Sequence, residues 1–159
     1  MKKFLNILAA LMLAVISTSC LEHDLEELDV YSDCEVTTGY VYWRWVSDEV
    51  HPGTGANKVK QTEMTYSNWQ YGHTLDKENQ KLIIRYYGGY VNTTERPNID
   101  ASKLVVALQV STAAIVKPVG DAPILGTPGD WTKEHQYDVI AADGTTKRWT
   151  IGVLRHDQQ

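Results

Sequence analysis

Along most of the chain apolar and polar residues alternate one by one, the period of a strand with one buried face. The spacing of a long amphipathic helix is not seen. The clearest stretch is Gln136 to Val153, QYDVIAADGTTKRWTIGV, in which two alternating runs flank a single Asp-Gly pair. That combination is the strongest short-range hairpin signal. Its register follows from the faces it would create. A two-residue Asp143-Gly144 loop sets Val139 opposite Arg148 and Ile140 opposite Lys147, and neither face is clean. A three-residue loop, Ala142 to Gly144, with Gly144 left-handed as a bulge, shifts the pairing by one. Tyr137, Val139 and Ala141 then share a face with Trp149, Ile151 and Val153. Asp138, Arg148 and Thr150 join Ile140 on the other. The bulged register is therefore expected, because a half-buried antiparallel pair needs one apolar face.

Similar runs precede it. TGYVYWRWV (38–46) reads as a strand whose better core face is Val41, Trp43 and Trp45. The stretch 48–57, with Pro52, Gly53 and Gly55, reads as a loop. KVKQTEMTY (58–66) reads as a more polar strand, and 65–77 has no clear pattern. KLIIRYY (81–87) is a strand ended by Gly88-Gly89, and a loop runs from Tyr90 to Ser102. KLVVALQVS (103–111) presents Leu104, Val106, Leu108 and Val110 on one face. A short strand is expected near 113–116, closed by Pro118, and 120–130 is turn-rich. About seven strands in a little over a hundred residues predict an all-β protein, an antiparallel β-sandwich.

The start of the chain reads differently. MKKFLNILAALMLAVISTS (1–19) has a basic n-region at Lys2 and Lys3, an apolar core from Phe4 to Ile16, and small residues before Cys20. This is a signal peptide, too short in its apolar run for a membrane span. Small residues immediately before a cysteine resemble the lipobox of bacterial lipoproteins, in which that cysteine is acylated and becomes the mature N-terminus. Ser17 stands where Leu is usual. Cys20 is thus the expected lipid attachment site, and two or three acyl chains would hold the protein on a membrane at about 0.8 kcal/mol per buried methylene. Residues 20–35 contain seven carboxylates and no Lys or Arg. Leu21, Leu25 and Leu28 could share one side of a short helix, but the like charges repel, and a solvated tether is the better reading. Residues 36–155 then form the folded domain. Acidic residues behind the lipidated cysteine resemble the surface-export signals of Bacteroidota lipoproteins. They imply an outer-membrane lipoprotein displayed at the cell surface; a charged spacer is the plainer alternative.

Composition adds two constraints. The 15 Lys and Arg fall to 13 when Lys2 and Lys3 leave with the signal, against 20 Asp and Glu, which gives a mature net charge of −7. Nucleic acid is therefore not an expected partner. The aromatics are nine Tyr, five Trp and one Phe, and the Phe lies in the signal. If Cys20 is lipidated, Cys34 has no intrachain partner.

From Leu82 to Val153 the order of features resembles the small immunoglobulin-like (cadherin-like) domains of Bacteroidota cell-surface lipoproteins, which are domains of unknown function. Such domains also stand in front of domains assigned to carbohydrate metabolism. KLIIRYY resembles their middle strand, and LVVALQVSTAAIVKP the strand leading to a small-apolar-x-Pro element at Ala114, Ile115 and Pro118. GDWTKEHQYDVIAADGTTKRWTIGV resembles their closing segment. Asp130-Trp131 stands where Asp-Phe is usual and Trp149 where Tyr is usual, so both positions keep an aromatic. The resemblance covers about half the chain and implies an immunoglobulin-like sandwich with no catalytic residues to carry over.

No motif for nucleophilic, phosphate or dinucleotide chemistry occurs. The five histidines lack metal-ligand spacing, so no metal and no cofactor is expected. Asp48, Glu49, Asp76 and Glu78 fall in loops, where solvation accounts for them. The residues of most interest are Trp69, Tyr71, Tyr86, Tyr87 and Tyr90. Tyr86 and Tyr87 are adjacent in a strand, so at most one is in the core. The other, with Tyr90 and Trp69 or Tyr71, could form an exposed aromatic platform for sugar rings. Cross-strand packing is the simpler account. The candidate ligand-binding set is Trp69, Tyr71, Tyr86 and Tyr90. The expectation is a non-enzymatic envelope protein, anchored to the membrane by its lipid, that binds or scaffolds glycan or another envelope protein. A structural or adhesive subunit assembling by strand addition is the alternative. An envelope hydrolase is a third reading, which would need two carboxylates facing each other in a cleft.

Overall fold

The computed structural model describes residues 31–67 and 72–156. The alternating runs become strands, nine among the described residues: β1 (Val36–Val50), β2 (Asn57–Glu63), β3 (His73–Asp76), β4 (Lys81–Tyr86), β5 (Leu104–Val110), β6 (Ile115–Pro118), β7 (Pro128–Gly129), β8 (His135–Ile140) and β9 (Thr146–Arg155). Two sheets form, one in the order β2-β1-β5-β7 and the other in the order β3-β4-β9-β8-β6. Neighbours are antiparallel except β4 and β9, which run parallel with Leu82 beside Ile151 and Ile84 beside Val153. The architecture is the expected β-sandwich.

Its core is made of the inward residues of both sheets. Val41, Trp43, Leu104 and Val106 come from one, and Leu82, Ile84, Tyr137, Val139, Trp149 and Ile151 from the other; all are buried. Each large apolar side chain contributes roughly 1.5–3 kcal/mol by leaving water. Among the described residues no helix is long and apolar enough to cross a membrane.

The last hairpin takes the bulged register. Ile140 pairs Thr146, Val139 pairs Lys147 and Tyr137 pairs Trp149. The Ala141 amide donates to the Thr145 carbonyl at 2.8 Å, and the Gly144 amide donates to the Ala141 carbonyl at 3.0 Å. Gly144 lies at φ +87, and a Cβ there would meet nothing within 4 Å. The demand for glycine is thus conformational and not steric. Gly144→Val is expected to cost about 1–2 kcal/mol, the strain of a left-handed β-branched residue. Thermal denaturation of that variant at wild-type temperature would contradict this register.

Several boundaries differ from the sequence reading, each for a local reason. β1 runs on through Asp48-Glu49-Val50, placed above in a loop. Val46, Val50 and their neighbour Val59 are exposed, so the tip of the β1–β2 hairpin stands clear of the core and loses the burial alternation. β3 has four partly exposed residues and so no readable pattern. β7 is two residues inside the turn-rich stretch. β9 continues to Arg155, two residues past the hairpin run read as ending at Val153. The folded unit also begins before Val36. Cys34 is buried, its carbonyl accepts from Trp149 Nε1 at 3.0 Å, Glu35 pairs with Lys147, the Glu35 amide donates to Ser111 Oγ, and the Ser111 amide donates to the Glu35 carbonyl. Cys34 is a free thiol among the described residues.

Candidate functional site

The site arises where β2 leaves β1. Beyond Glu63 the chain crosses to the other sheet. The Met64 amide still donates to the Val41 carbonyl at 2.7 Å, but the Tyr66 amide donates to the Arg85 carbonyl and the Tyr87 amide to the Met64 carbonyl, both at 2.8 Å. Thr65 bridges Tyr86. Residues 64–66 thus extend the edge of the β4 sheet. The crossing leaves the first half of β1 without β2, and side chains satisfy its edge, as buried backbone groups require. The Val41 amide donates to Thr65 Oγ1 at 2.9 Å. His73 Nε2 donates to the Gly39 carbonyl at 2.7 Å and lies 3.3 Å from Thr38 Oγ1.

Outside these bonds is an open groove of about 230 Å³ lined by Thr38, Tyr40, Glu63, Tyr66, Ser67 and His73. A smaller one of about 160 Å³ continues past Thr38 and His73 to Thr37 and Leu75. Glu63 is exposed, and its carboxylate makes no hydrogen bond or ion pair among the described residues. It is the one carboxylate in the groove's described lining.

Tyr66 and Ser67 also belong to an aromatic ladder. His156, at the end of β9, stacks on Tyr66 with ring centroids 3.9 Å apart and 22° between planes. Tyr66 meets Tyr87 edge-on at 6.2 Å, and Tyr87 meets Tyr90 edge-on at 5.3 Å and 85°. Edge-to-face geometry is the favourable one for the ring quadrupoles. The Tyr90 hydroxyl is 2.8 Å from Ser67 Oγ, which ties the ladder's far end to the groove. Tyr87 is 37% and Tyr90 43% exposed.

The Gly88-Gly89 pair positions these rings. It opens a 3₁₀ turn, Gly88–Tyr90, that is closed by Val91, whose side chain is buried. Arg96 Nη2 donates to the Gly89 and Val91 carbonyls at 3.0 and 3.2 Å. The Tyr87 ring lies directly over Gly89, where any Cβ would overlap it. The glycine is needed for that close approach.

Of the sequence-predicted set, Tyr90 lies on the ladder. Tyr86 does not, because the β4 alternation turns it inward, 5% exposed, into the core beside Leu82 and Ile84; Tyr87 is the exposed one. Trp69, Tyr71 and the lipid-attachment candidate Cys20 lie outside the described residues. Tyr66, Glu63 and His156 escaped the sequence reading. Tyr66 sits where the strand changes sheets and its alternation breaks, and His156 arrives from the opposite end of the domain. For Tyr87 a signal existed: it shares its strand face with Arg85, which a core face would not admit unpaired.

The sandwich edges bear on assembly. β7 has two residues, β3 four, and β6 ends at Pro118, which donates no ladder bond. β2 is longer, and both Lys58 and Lys60 pair with Glu49 across its hairpin. Charged residues on an edge strand discourage further pairing.

Comparison with known proteins places these features in context. A family model described as DUF5018-related matches residues 36–152. A crystal structure from Bacteroides fragilis NCTC 9343, provisionally described as a secreted protein, is 36% identical with a TM-score of 0.67, over 78% of this chain and 96% of that one. A second, from Bacteroides thetaiotaomicron VPI-5482 and provisionally described as a glycoside hydrolase, is 22% identical with a TM-score of 0.41, over 83% of this chain and 27% of that one. Among curated proteins none matches this chain.

Proposed function

The chain belongs to the DUF5018-related family, and from that premise we propose that it is a lipid-anchored, non-catalytic binding protein of the bacterial cell envelope whose ligand is a glycan. The observation that carries the reading is the exposed Tyr87–Tyr90 pair joined through Ser67 and Tyr66 to a polar groove. The weakly positive C–H face of a sugar ring complements the negative face of a tyrosine. Hydroxyls and a carboxylate in the adjoining groove supply the directional bonds a sugar needs. The groove is small and open beside the roughly 300–1,000 Å³ of an enclosing small-molecule pocket. It therefore suits a chain that lies across it. Anchoring through Cys20 at the outer membrane, facing outward, is supported by the signal and lipobox pattern, and the likeness to a B. fragilis protein described as secreted agrees with export.

A glycan array probed with the full mature chain carrying Cys20→Ser tests the reading. Tyr87→Ala and Tyr90→Ala are each expected to weaken binding about tenfold or more, as truncation of an aromatic anchor does. Both rings are exposed, so thermal stability should change little. Gly89→Ala should mimic Tyr87→Ala by displacing its ring. A protein that binds no glycan, or binds equally after both tyrosine truncations, would remove the proposal.

A further inference from the structure

Resting on the glycan reading, we infer that the site selects uncharged sugar chains and rejects acidic ones, with Glu63 as the specificity-determining residue. Glu63 lines the groove beside Tyr66 and Ser67, is exposed, and has no hydrogen bond or ion pair among the described residues. Two other acidic side chains near the sheet edges are committed: Glu49 holds Lys58 and Lys60, and Asp76 accepts from Asn79. A free carboxylate can accept from two adjacent sugar hydroxyls at once, a charge-assisted arrangement about twice as strong as a neutral one. The same carboxylate repels a uronate or sulfate. No Lys or Arg is among the described residues lining the groove. Of the cations described around the ladder, Arg96 spends its Nη2 on the Gly89 and Val91 carbonyls, Arg85 donates Nη1 to Thr74 Oγ1, and the Arg155 guanidinium lies against Gly88. The chain as a whole carries −5, which adds to the repulsion of polyanions.

The groove's other groups fit a neutral sugar. Ser67 and Tyr90 share one hydrogen bond and keep acceptor capacity, and Thr38 offers a hydroxyl at the opposite wall. Tyr87 and Tyr90 stand nearly perpendicular. A ring stacked on one is touched by the edge of the other, which grips a single sugar unit within a chain and does not form a flat platform for several.

The experiment measures affinity of the full mature chain carrying Cys20→Ser for four polymers: a mannan, a neutral β-glucan, polygalacturonate and a sulfated galactan. The wild type is expected to bind at least one neutral polymer and to bind the two acidic ones at least tenfold more weakly. Glu63→Gln should weaken neutral binding several-fold and narrow the gap to the acidic polymers, with thermal stability unchanged because the residue is exposed and unpaired. Glu63→Lys should narrow the gap further. Acidic polymers bound as tightly as neutral ones, or a Glu63→Gln variant with wild-type selectivity, would overturn the inference and leave the glycan reading standing. Binding to none of the four, with none on the array, would overturn both.

Discussion

Replacing Trp149 by Ala is expected to destabilise the domain by about 3–5 kcal/mol and to lower its Tm by roughly 10–20 °C. Trp149 is fully buried in β9, between β4 and β8, and pairs Tyr137 across the hairpin. Truncation removes the transfer free energy of the indole and leaves a cavity that neighbouring strands cannot close without losing register. The residue also has a second task. Its Nε1 donates to the Cys34 carbonyl at 3.0 Å, a bond spanning 115 residues in a buried setting. That bond fastens the segment entering β1 to the centre of the opposite sheet. Trp149→Phe separates the two roles. It keeps most of the volume and strands the Cys34 carbonyl without its donor, at a cost of about 1–3 kcal/mol. Calorimetry gives the totals. Limited proteolysis gives the location, and the Phe variant should be cut faster near Ser32 to Glu35 while the rest of the sandwich stays resistant. A Trp149→Ala protein within 1 kcal/mol of wild type would mean that this residue is not the core element described.

What was legible in the sequence was what is encoded within a few residues. The Asp143-Gly144 turn is legible because its faces and its left-handed glycine are adjacent, and the structure adopts that register throughout β8 and β9. The core faces of β1 and β4 were legible because burial follows alternation, whereas in β5 Val105, on the opposite face from Leu104 and Val106, is buried as well. The tip of β1, β3 and β7 were not legible, since none of them buries an alternating apolar face. That Cys34 and Glu35 pack onto the sandwich was not legible, because they are held by Trp149, Lys147 and Ser111, all distant in sequence. The site divides the same way. Tyr90 could be named from composition. Tyr86 was placed in the ligand-binding set although its parity with Leu82 and Ile84 turns it inward. The stacking of Tyr66 on His156, and the groove opened by the crossing from one sheet to the other, depend on topology that no local pattern carries.

Topology also sets the domain's response to alkali, which is expected to centre on Tyr137. Its side chain is fully buried, its ring stacks against Trp131 at 6.1 Å and 11°, and its hydroxyl donates to the Pro123 carbonyl at 2.6 Å. Burial pushes its ionisation well above the ordinary tyrosine value, because a phenolate there would lose its hydration. The folded state therefore favours the neutral phenol. Its contribution is complete below the unfolded value near 10, and it is lost as pH rises from there through the folded value. Each unit of separation corresponds to about 1.4 kcal/mol. Burial moves the Cys34 thiol and the Tyr42 phenol in the same direction, so each adds a loss of the same sign; Cys34→Ala and Tyr42→Phe backgrounds isolate the Tyr137 part. Urea denaturation from pH 7 to 12 should thus show a midpoint that falls increasingly steeply above pH 10. Tyr137→Phe should be about 1–2 kcal/mol less stable at pH 7, because the Pro123 carbonyl loses its donor. It cannot ionise, so its curve should be flatter and the gap to wild type should close as pH rises. Parallel curves up to pH 12 would show that another group governs the alkaline transition.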